Sequence, residues 1–114
     1  MSLSNLLSPA TRRTETITLP SIGEVKLREL DGEQWERFQM NVFERGEAEE
    51  AHPRFRALLT AYTIVDDNGN PVFGPDAADS IAKQPASIVK PLYEAVVRVN
   101  GMGRDSEKNS ESGQ

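Results

Sequence analysis

Residues 14–30 read TETITLPSIGEVKLREL, a segment in which apolar and polar side chains alternate on both sides of a turn. Ile17 and Leu19 fall on one face before the turn, and Val25 and Leu27 fall on one face after it. This period of two predicts a β-hairpin. Because an isolated hairpin is marginal in water, its apolar face must be covered by helices or by a second copy. In the second case these four residues form an oligomerisation edge.

After the hairpin, apolar residues recur every three or four positions, which predicts helices. The tetrapeptide DGEQ at 31–34 has the spacing of a capping box, so a helix should begin there. Pro53 suits the first turn of a second helix, and a short third helix begins at 74–76. The last helix covers roughly 86–100. Pro91 lies inside it, which predicts either a kink or a helix that becomes regular only near this proline.

We therefore expect an α+β fold that is mainly helical, with an N-terminal β-hairpin followed by about four helices. The folded domain covers 14–102, divided into the hairpin at 14–30 and a helical body at 31–102. Residues 1–13 form a flexible leader or, alternatively, a segment that folds onto a partner. Residues 103–114 carry no large apolar side chain to offset the entropy of ordering, so we expect a disordered polar tail.

The overall composition excludes several classes of function. The chain has 114 residues, a formal net charge of −5, one histidine and no cysteine. No disulfide or cysteine-ligated metal site is possible, and the acidic balance disfavours nucleic acid as a partner. No apolar run approaches the roughly 18 residues of a membrane span, and the first residues lack the pattern of a signal peptide. We expect a cytoplasmic protein without membrane contact.

Few residues suggest catalysis. His52 precedes Pro53 in a polar stretch, which favours an exposed loop histidine over a general base or metal ligand. The run DDNGNP at 66–71 offers oxygen ligands for calcium, but Ala77 occupies the twelfth loop position, where a bidentate glutamate is needed. A plain turn fits this run better. We expect no catalytic, metal-binding or cofactor-binding residues, and no enzyme.

The first predicted helix offers a candidate partner-binding surface. Trp35, Phe38, Val42 and Phe43 recur at helical spacing, next to acidic sequence. Aromatic side chains dominate the energetics of protein interfaces, and a folded part of roughly 90 residues leaves some apolar surface uncovered. We expect these four residues to bind a partner, with burial in the core as the alternative.

The order of four segments resembles a known protein family: TETITLPSIGEVKLREL, DGEQWERF, RALLTAYTIVDDNGNPVF and KPLYEAVVRVNGM followed by a charged tail. This order is similar to that of the tail assembly chaperones of long-tailed (siphovirus-like) bacteriophages. The resemblance implies a mainly helical, non-catalytic protein that binds the tape-measure protein and the major tail-tube protein and keeps them soluble. It also implies self-association, a place in the host bacterial cytoplasm and absence from the mature virion.

The resemblance also implies a set of fold-defining residues in the turn and at the end of the last helix: Asp67, Gly69, Pro71, Phe73, Leu92, Asn100 and Gly101. The main rival hypothesis is a permanent small structural or adaptor subunit of the phage tail or neck. An enzyme or small-ligand protein and a transcriptional regulator are further alternatives.

Overall fold

The computed structural model describes residues 3–7, 11–49 and 52–102. The expected tail at 103–114 lies outside the described residues, as does part of the leader. The elements are a single 3-10 turn, three strands and four helices: Leu3–Leu7, β1 (Thr14–Leu19), β2 (Gly23–Arg28), α1 (Gly32–Glu44), α2 (Pro53–Thr63), β3 (Ile64–Val65), α3 (Ala77–Ala82) and α4 (Ala86–Val99). The predicted fold class is confirmed.

The predicted hairpin is present as β1 and β2. The strands are antiparallel, with Thr14 opposite Arg28 and Leu19 opposite Gly23. The reversal requires a positive φ of 65° at Ser21, a conformation that costs a residue with a Cβ more than it costs glycine. The apolar face of the hairpin packs on the helical body, and α4 contacts both strands.

The sheet has a third strand, β3; the sequence suggested that Ile64 and Val65 could pair with Val72 and Phe73 in a small hairpin, but did not predict pairing with β2. Val65 lies opposite Lys26 and Ile64 lies opposite Leu27, so β3 pairs antiparallel with β2 and places β2 in the centre. A two-residue strand carries too short a pattern to indicate which segment it pairs with. Its pairing joins the end of α2 to the hairpin.

The helix starts follow local rules. The carboxylate of Asp31 accepts from the backbone N–H of Gln34 at 2.8 Å, and the Gln34 side-chain oxygen accepts from the backbone N–H of Asp31 at 3.1 Å. This is the predicted capping box.

α4 runs continuously through Pro91, which is exposed together with Ser87. Water can therefore hydrate the Ser87 carbonyl group that the proline cannot bond.

The core centres on Phe38, which is completely buried. Its ring meets Phe55 edge to face at 5.1 Å and Tyr62 edge to face at 6.0 Å, measured between ring centroids. Trp35 lies against the same ring at 5.4 Å. Such pairs stabilise beyond the area they bury, so they fix α1 on α2.

Asn100 joins three distant parts of the chain. Its side-chain oxygen accepts from the backbone N–H of Leu30 at 3.0 Å, just before α1 begins. Its side-chain nitrogen donates to the hydroxyl of Thr63 at 3.1 Å, at the end of α2, and to the carbonyl of Val96 at 2.9 Å. One side-chain amide thus bonds the segment after the hairpin, the end of α2 and the last turn of α4.

Gly101 ends α4 with a positive φ of 70°, as the predicted cap requires. Its N–H bonds the carbonyl of Arg98 at 3.1 Å, and the N–H of Met102 bonds the carbonyl of Val97 at 3.0 Å. These two bonds define a Schellman motif, which satisfies the last carbonyl groups of the helix.

Arg98 connects α4 to β1 by a bidentate ion pair with Glu15, one bond of which measures 3.1 Å between Arg98 Nε and Glu15 Oε1. The hydrogen bonds from Arg98 lower the pKa of Glu15, although partial burial opposes this shift.

A second set of ion pairs holds α3 in place. The carboxylate of Asp79 on α3 lies 2.9 Å from Arg54 and 3.5 Å from Arg45.

Replacing Asn100 by alanine should lower the free energy of unfolding by about 2–3 kcal/mol, because three hydrogen bonds are lost and the Leu30 N–H is left without its partner. Asn68→Ala, in the exposed turn, is the control and should change stability by less than about 0.5 kcal/mol. Urea unfolding measures both. Equal effects of the two substitutions would contradict the role of Asn100.

Replacing Glu15 by glutamine tests the ion pair through its pH dependence. Because the folded-state pKa of Glu15 lies below its ordinary value of 4.5, the stabilisation is present above that value and lost as the pH falls. Near pH 7 the wild type should be more stable by about 0.5 kcal/mol, a small value since both side chains are partly exposed. Unfolding measured from pH 7 to pH 3 should show this difference shrink. A difference that stays constant would disprove the linkage.

Candidate functional site

The structure separates the four residues that were expected to bind a partner. Phe38 and Val42 are completely buried, whereas Phe43 is 76% exposed. Trp35 is partly buried against the core. The expectation was therefore wrong for Phe38 and Val42. Positions 38 and 42 are one turn apart and face α2, but Phe43 lies about 140° round the helix from Phe38.

Phe43 lies beside a second exposed apolar side chain on the outer side of α1. Met40 is three residues earlier and 61% exposed. Residues at this spacing are neighbours on a helix surface. Glu36 and Glu44 are exposed on the same helix. We call Met40 and Phe43 the α1 patch, an apolar surface with acidic neighbours. The sequence analysis missed Met40, although its spacing to Phe43 was a usable signal.

The four hairpin residues expected to form an oligomerisation edge lie on the inner face of the sheet. Leu19 and Leu27 are buried, and Ile17 and Val25 are partly buried against the same core. Their side chains are covered by helices, the first of the two possibilities predicted. Since β1 is at the end of the strand order, its backbone edge is the part of the hairpin left for pairing. Oligomerisation through that edge stays a prediction.

A mostly apolar groove of about 330 Å³ lies between the hairpin tip, β3 and the start of α4. Three large apolar side chains at its rim are half exposed: Ile22 at 52%, Val72 at 51% and Phe73 at 45%. Leu19, Ile88 and Leu92 lie deeper in it and are buried. We call this feature the hairpin-tip groove. The sequence analysis missed Ile22 and Val72 because the groove exists only where distant segments meet.

The turn after β3 is held by Asp66. One carboxylate oxygen of Asp66 accepts from the backbone N–H groups of Asn68 at 2.9 Å and Asn70 at 3.0 Å. Asp67, which the resemblance implied, contributes its backbone carbonyl, to which Lys26 donates at 3.5 Å. The side-chain hydrogen bonds that hold this turn therefore come from Asp66, one residue before the position that the resemblance implied.

Gly69 and Pro71, two residues that the resemblance implied for the turn, both contact neighbouring strands. Gly69 has a φ of 84°, and a Cβ there would lie 2.7 Å from Arg28 Nη1. The same arginine donates to the Gly69 carbonyl at 3.2 Å, which fastens the turn to β2. Pro71 forms an isolated antiparallel β-bridge with Val65. The 66–71 run thus forms a turn, and the described residues contain no group of three possible metal ligands.

His52 is an N-cap of α2. Its Nδ1 atom accepts from the backbone N–H of Arg54 at 3.1 Å, a structural role that the sequence analysis did not assign. The cavity beside it, about 260 Å³, is lined by arginines and apolar groups and brings it no carboxylate. Burial raises the pKa of Tyr93 in the same cavity, although Arg54 and Arg56 oppose this shift. These residues lack the paired acid and base of a general acid–base site.

Among the described residues, no helix is both long and apolar enough to cross a membrane. Within residues 11–49 and 52–102, the large apolar side chains that are at least 36% exposed lie in the α1 patch and at the rim of the hairpin-tip groove. Both are positioned by the packing described above: Phe38 fixes α1, and the Arg28–Gly69 contact fixes the loop that carries Val72 and Phe73.

Comparisons with known proteins show a likeness to a solved structure. No family model matches the chain, and no curated protein matches it. The chain is similar to the solved structure of the bacteriophage HK97 tail assembly chaperone, with 24% identity and a TM-score of 0.52, over 84% of this chain and 95% of that one. This likeness agrees with the resemblance seen in the sequence. The chain shares its fold with a phage tail assembly chaperone.

Proposed function

We propose that this chain is a non-catalytic phage tail assembly chaperone that binds the tape-measure protein and the major tail-tube protein and keeps them soluble. The observation that carries the proposal is the fold, which matches the HK97 tail assembly chaperone over nearly the whole length of that protein. The agreement is supported by the segment order in the sequence, which suggested the same family independently of the structure.

The α1 patch is the surface we assign to the client. A tape-measure protein is a long helical chain whose apolar stripes need cover before assembly, and an exposed aromatic side chain is a suitable anchor for such a stripe. Phe43 is the most exposed aromatic side chain in the described part of the molecule. On the other side of α1, the buried ring of Phe38 packs against α2 and holds the helix in place. The patch is therefore presented on a rigid element.

Charge around the patch favours one class of client helix. Glu36 and Glu44 are exposed beside Met40 and Phe43, and the chain as a whole carries a net charge of −5. A client stripe flanked by lysine or arginine would complement these carboxylates, whereas an acidic flank would be repelled. The same net charge would keep the complex soluble.

Replacing Met40 and Phe43 by serine should reduce the soluble yield of the co-expressed tape-measure protein several-fold. Both side chains are exposed, so the melting temperature should stay within about 3 °C of the wild type. Asn68→Ala, at an exposed polar position in the turn after β3, is the control and should leave the yield unchanged. Unchanged solubility with the double variant would overturn the assignment of the patch.

A matched pair of substitutions separates the surface ring from the core ring. Phe38→Ala should cost about 3–5 kcal/mol of unfolding free energy, since it removes a buried ring from the core. Phe43→Ala should change the same quantity by less than about 0.5 kcal/mol. Urea unfolding of the two variants checks this. Similar losses would show that Phe43 is part of the core and unavailable to a client.

Mass spectrometry of purified virions separates the chaperone from the rival proposal of a permanent tail or neck subunit. We expect the protein in the lysate of infected cells, in the host cytoplasm, and no peptide from it in finished particles. Recovery from virions at a fixed ratio to the tube protein would favour the structural subunit instead.

A further inference from the structure

Two cavities join along the outer side of α4. The larger, of about 690 Å³, lies between α2 and most of α4, and the smaller, of about 260 Å³, lies where both helices begin. Arg56 and Tyr93 line both cavities, which therefore form one continuous groove. The groove extends along α4 from Val89 to Met102, about 20 Å at the rise of an α-helix. We call it the α4 groove.

The floor of the α4 groove is apolar. Val89, Tyr93 and Val97 follow one another at every fourth position of α4, which places them on one face of the helix. All three side chains are partly exposed, as is that of Met102 at the end of the groove. An apolar floor between two packed helices is the shape into which the apolar face of a third helix fits.

The rim of the α4 groove is basic. Arg56 and Lys90 are exposed, and no ion pair within the described residues involves either of them. Arg54 and Arg98 also line the groove, each paired with a carboxylate of another element. Among the described residues, Glu94 is the single carboxylate that lines it. A chain with a net charge of −5 thus carries a locally positive groove.

Two helix starts add to this positive charge. The ends of α2 and α4 lie together, where Asn100 bonds Thr63, and their starts lie together at the smaller cavity, lined by Pro53 and Val89. Neither helix has an acidic residue in its first turn. The start of a helix carries a partial positive charge, to which Arg56 adds in α2. This end of the α4 groove therefore favours negative charge in whatever binds there.

We propose that the α4 groove binds an amphipathic helix of a partner protein, one whose apolar stripe is flanked by aspartate or glutamate. The apolar side of that helix covers Tyr93 and Val97, and its carboxylates pair with Arg56 and Lys90. A helix flanked by lysine or arginine would be repelled by the same rim. A phosphate backbone would meet the charges but leave the apolar floor uncovered.

The two other apolar surfaces match such a helix poorly. Glu36 and Glu44 are exposed beside the α1 patch and would repel its carboxylates. In the hairpin-tip groove the two charged side chains, Glu24 and Lys26, have opposite sign and give no preference for an acidic partner. No residue that lines the α4 groove belongs to α1. Binding at the α4 groove therefore goes beyond the proposed function and does not depend on the client of the α1 patch.

Two synthetic helical peptides of about 16 residues, long enough to span the groove, serve as probes. Both carry leucine at helical spacing; the flanking positions are glutamate in one probe and lysine in the other. All titrations use the full-length Met40→Ser, Phe43→Ser variant, so that the lysine probe cannot bind the α1 patch. Fluorescence anisotropy should show binding of the glutamate probe, and at least about tenfold weaker binding of the lysine probe.

Reversing two charges tests the rim of the groove. Arg56→Glu with Lys90→Glu, added to that background, should weaken binding of the glutamate probe at least about tenfold and should create binding of the lysine probe. Both positions are exposed, and an acidic residue near the start of α2 is favourable, so the variant should fold. If it does not, Arg56→Gln with Lys90→Gln replaces it and should weaken the glutamate probe about threefold.

A matched control separates the groove from the net charge of the chain. Arg37→Glu with Lys83→Glu reverses two exposed cations outside the groove and changes the net charge by the same amount. It should change the affinity for either probe by less than about twofold. In the wild type, the ε-methyl NMR signal of Met102 should shift on addition of the glutamate probe while that of Met40 stays in place, because Met102 lines the groove.

Four results would overturn this inference. A glutamate probe that does not bind shows that the groove is not a docking surface. Equal binding of the two probes excludes selection by charge. Reversed charges that leave both affinities unchanged place the site elsewhere. A short DNA duplex that displaces the glutamate probe indicates a general anion site without a use for the apolar floor. Because client solubility is measured with α1 variants, failure here leaves the proposed function unaffected.

Discussion

The amide of Asn100 is the contact on which the arrangement of the chain depends. It bonds the segment that leaves the hairpin, the end of α2 and the last turn of α4. Those three segments lie far apart in the sequence, and without the amide the backbone N–H of Leu30 would lose its partner. Gly101 then ends α4 directly after the asparagine, so the amide is held in one position. The register of the hairpin against the helices is fixed here.

A small domain with this core leaves apolar side chains at the surface. The aromatic cluster around Phe38 uses most of the large rings, and the remaining exposed apolar residues of the body divide into the α1 patch and the rim of the hairpin-tip groove. Each surface is held by rigid packing, and each has a different electrostatic setting. That difference is why we assign the acidic α1 patch, and not the nearly neutral groove, to a client.

Much of the fold was predictable because its signals are local. The alternation at 14–30, the DGEQ cap and the Asn-Gly end of α4 each depend on neighbouring residues, and each was identified correctly. Three features were not predicted from the sequence, and the reason is the same for all three. The pairing of β3 with β2, the inward orientation of Phe38 and Val42 and the groove at Ile22 are set by contacts between distant segments. The spacing of apolar residues on α1 correctly indicated a helix. These residues span more than one face of it, however, and only tertiary packing decides which face is covered.

Contact between the α1 patch and the tape-measure protein can be observed directly by NMR. The ε-methyl group of Met40 lies in the patch, whereas Met102 is partly buried at the far end of α4, so the NMR spectrum of methyl-labelled methionine contains both a probe and a reference. On addition of the tape-measure protein, the Met40 signal should shift or broaden while the Met102 signal stays in place. A complex that forms with the Met40 signal unchanged would contradict this contact.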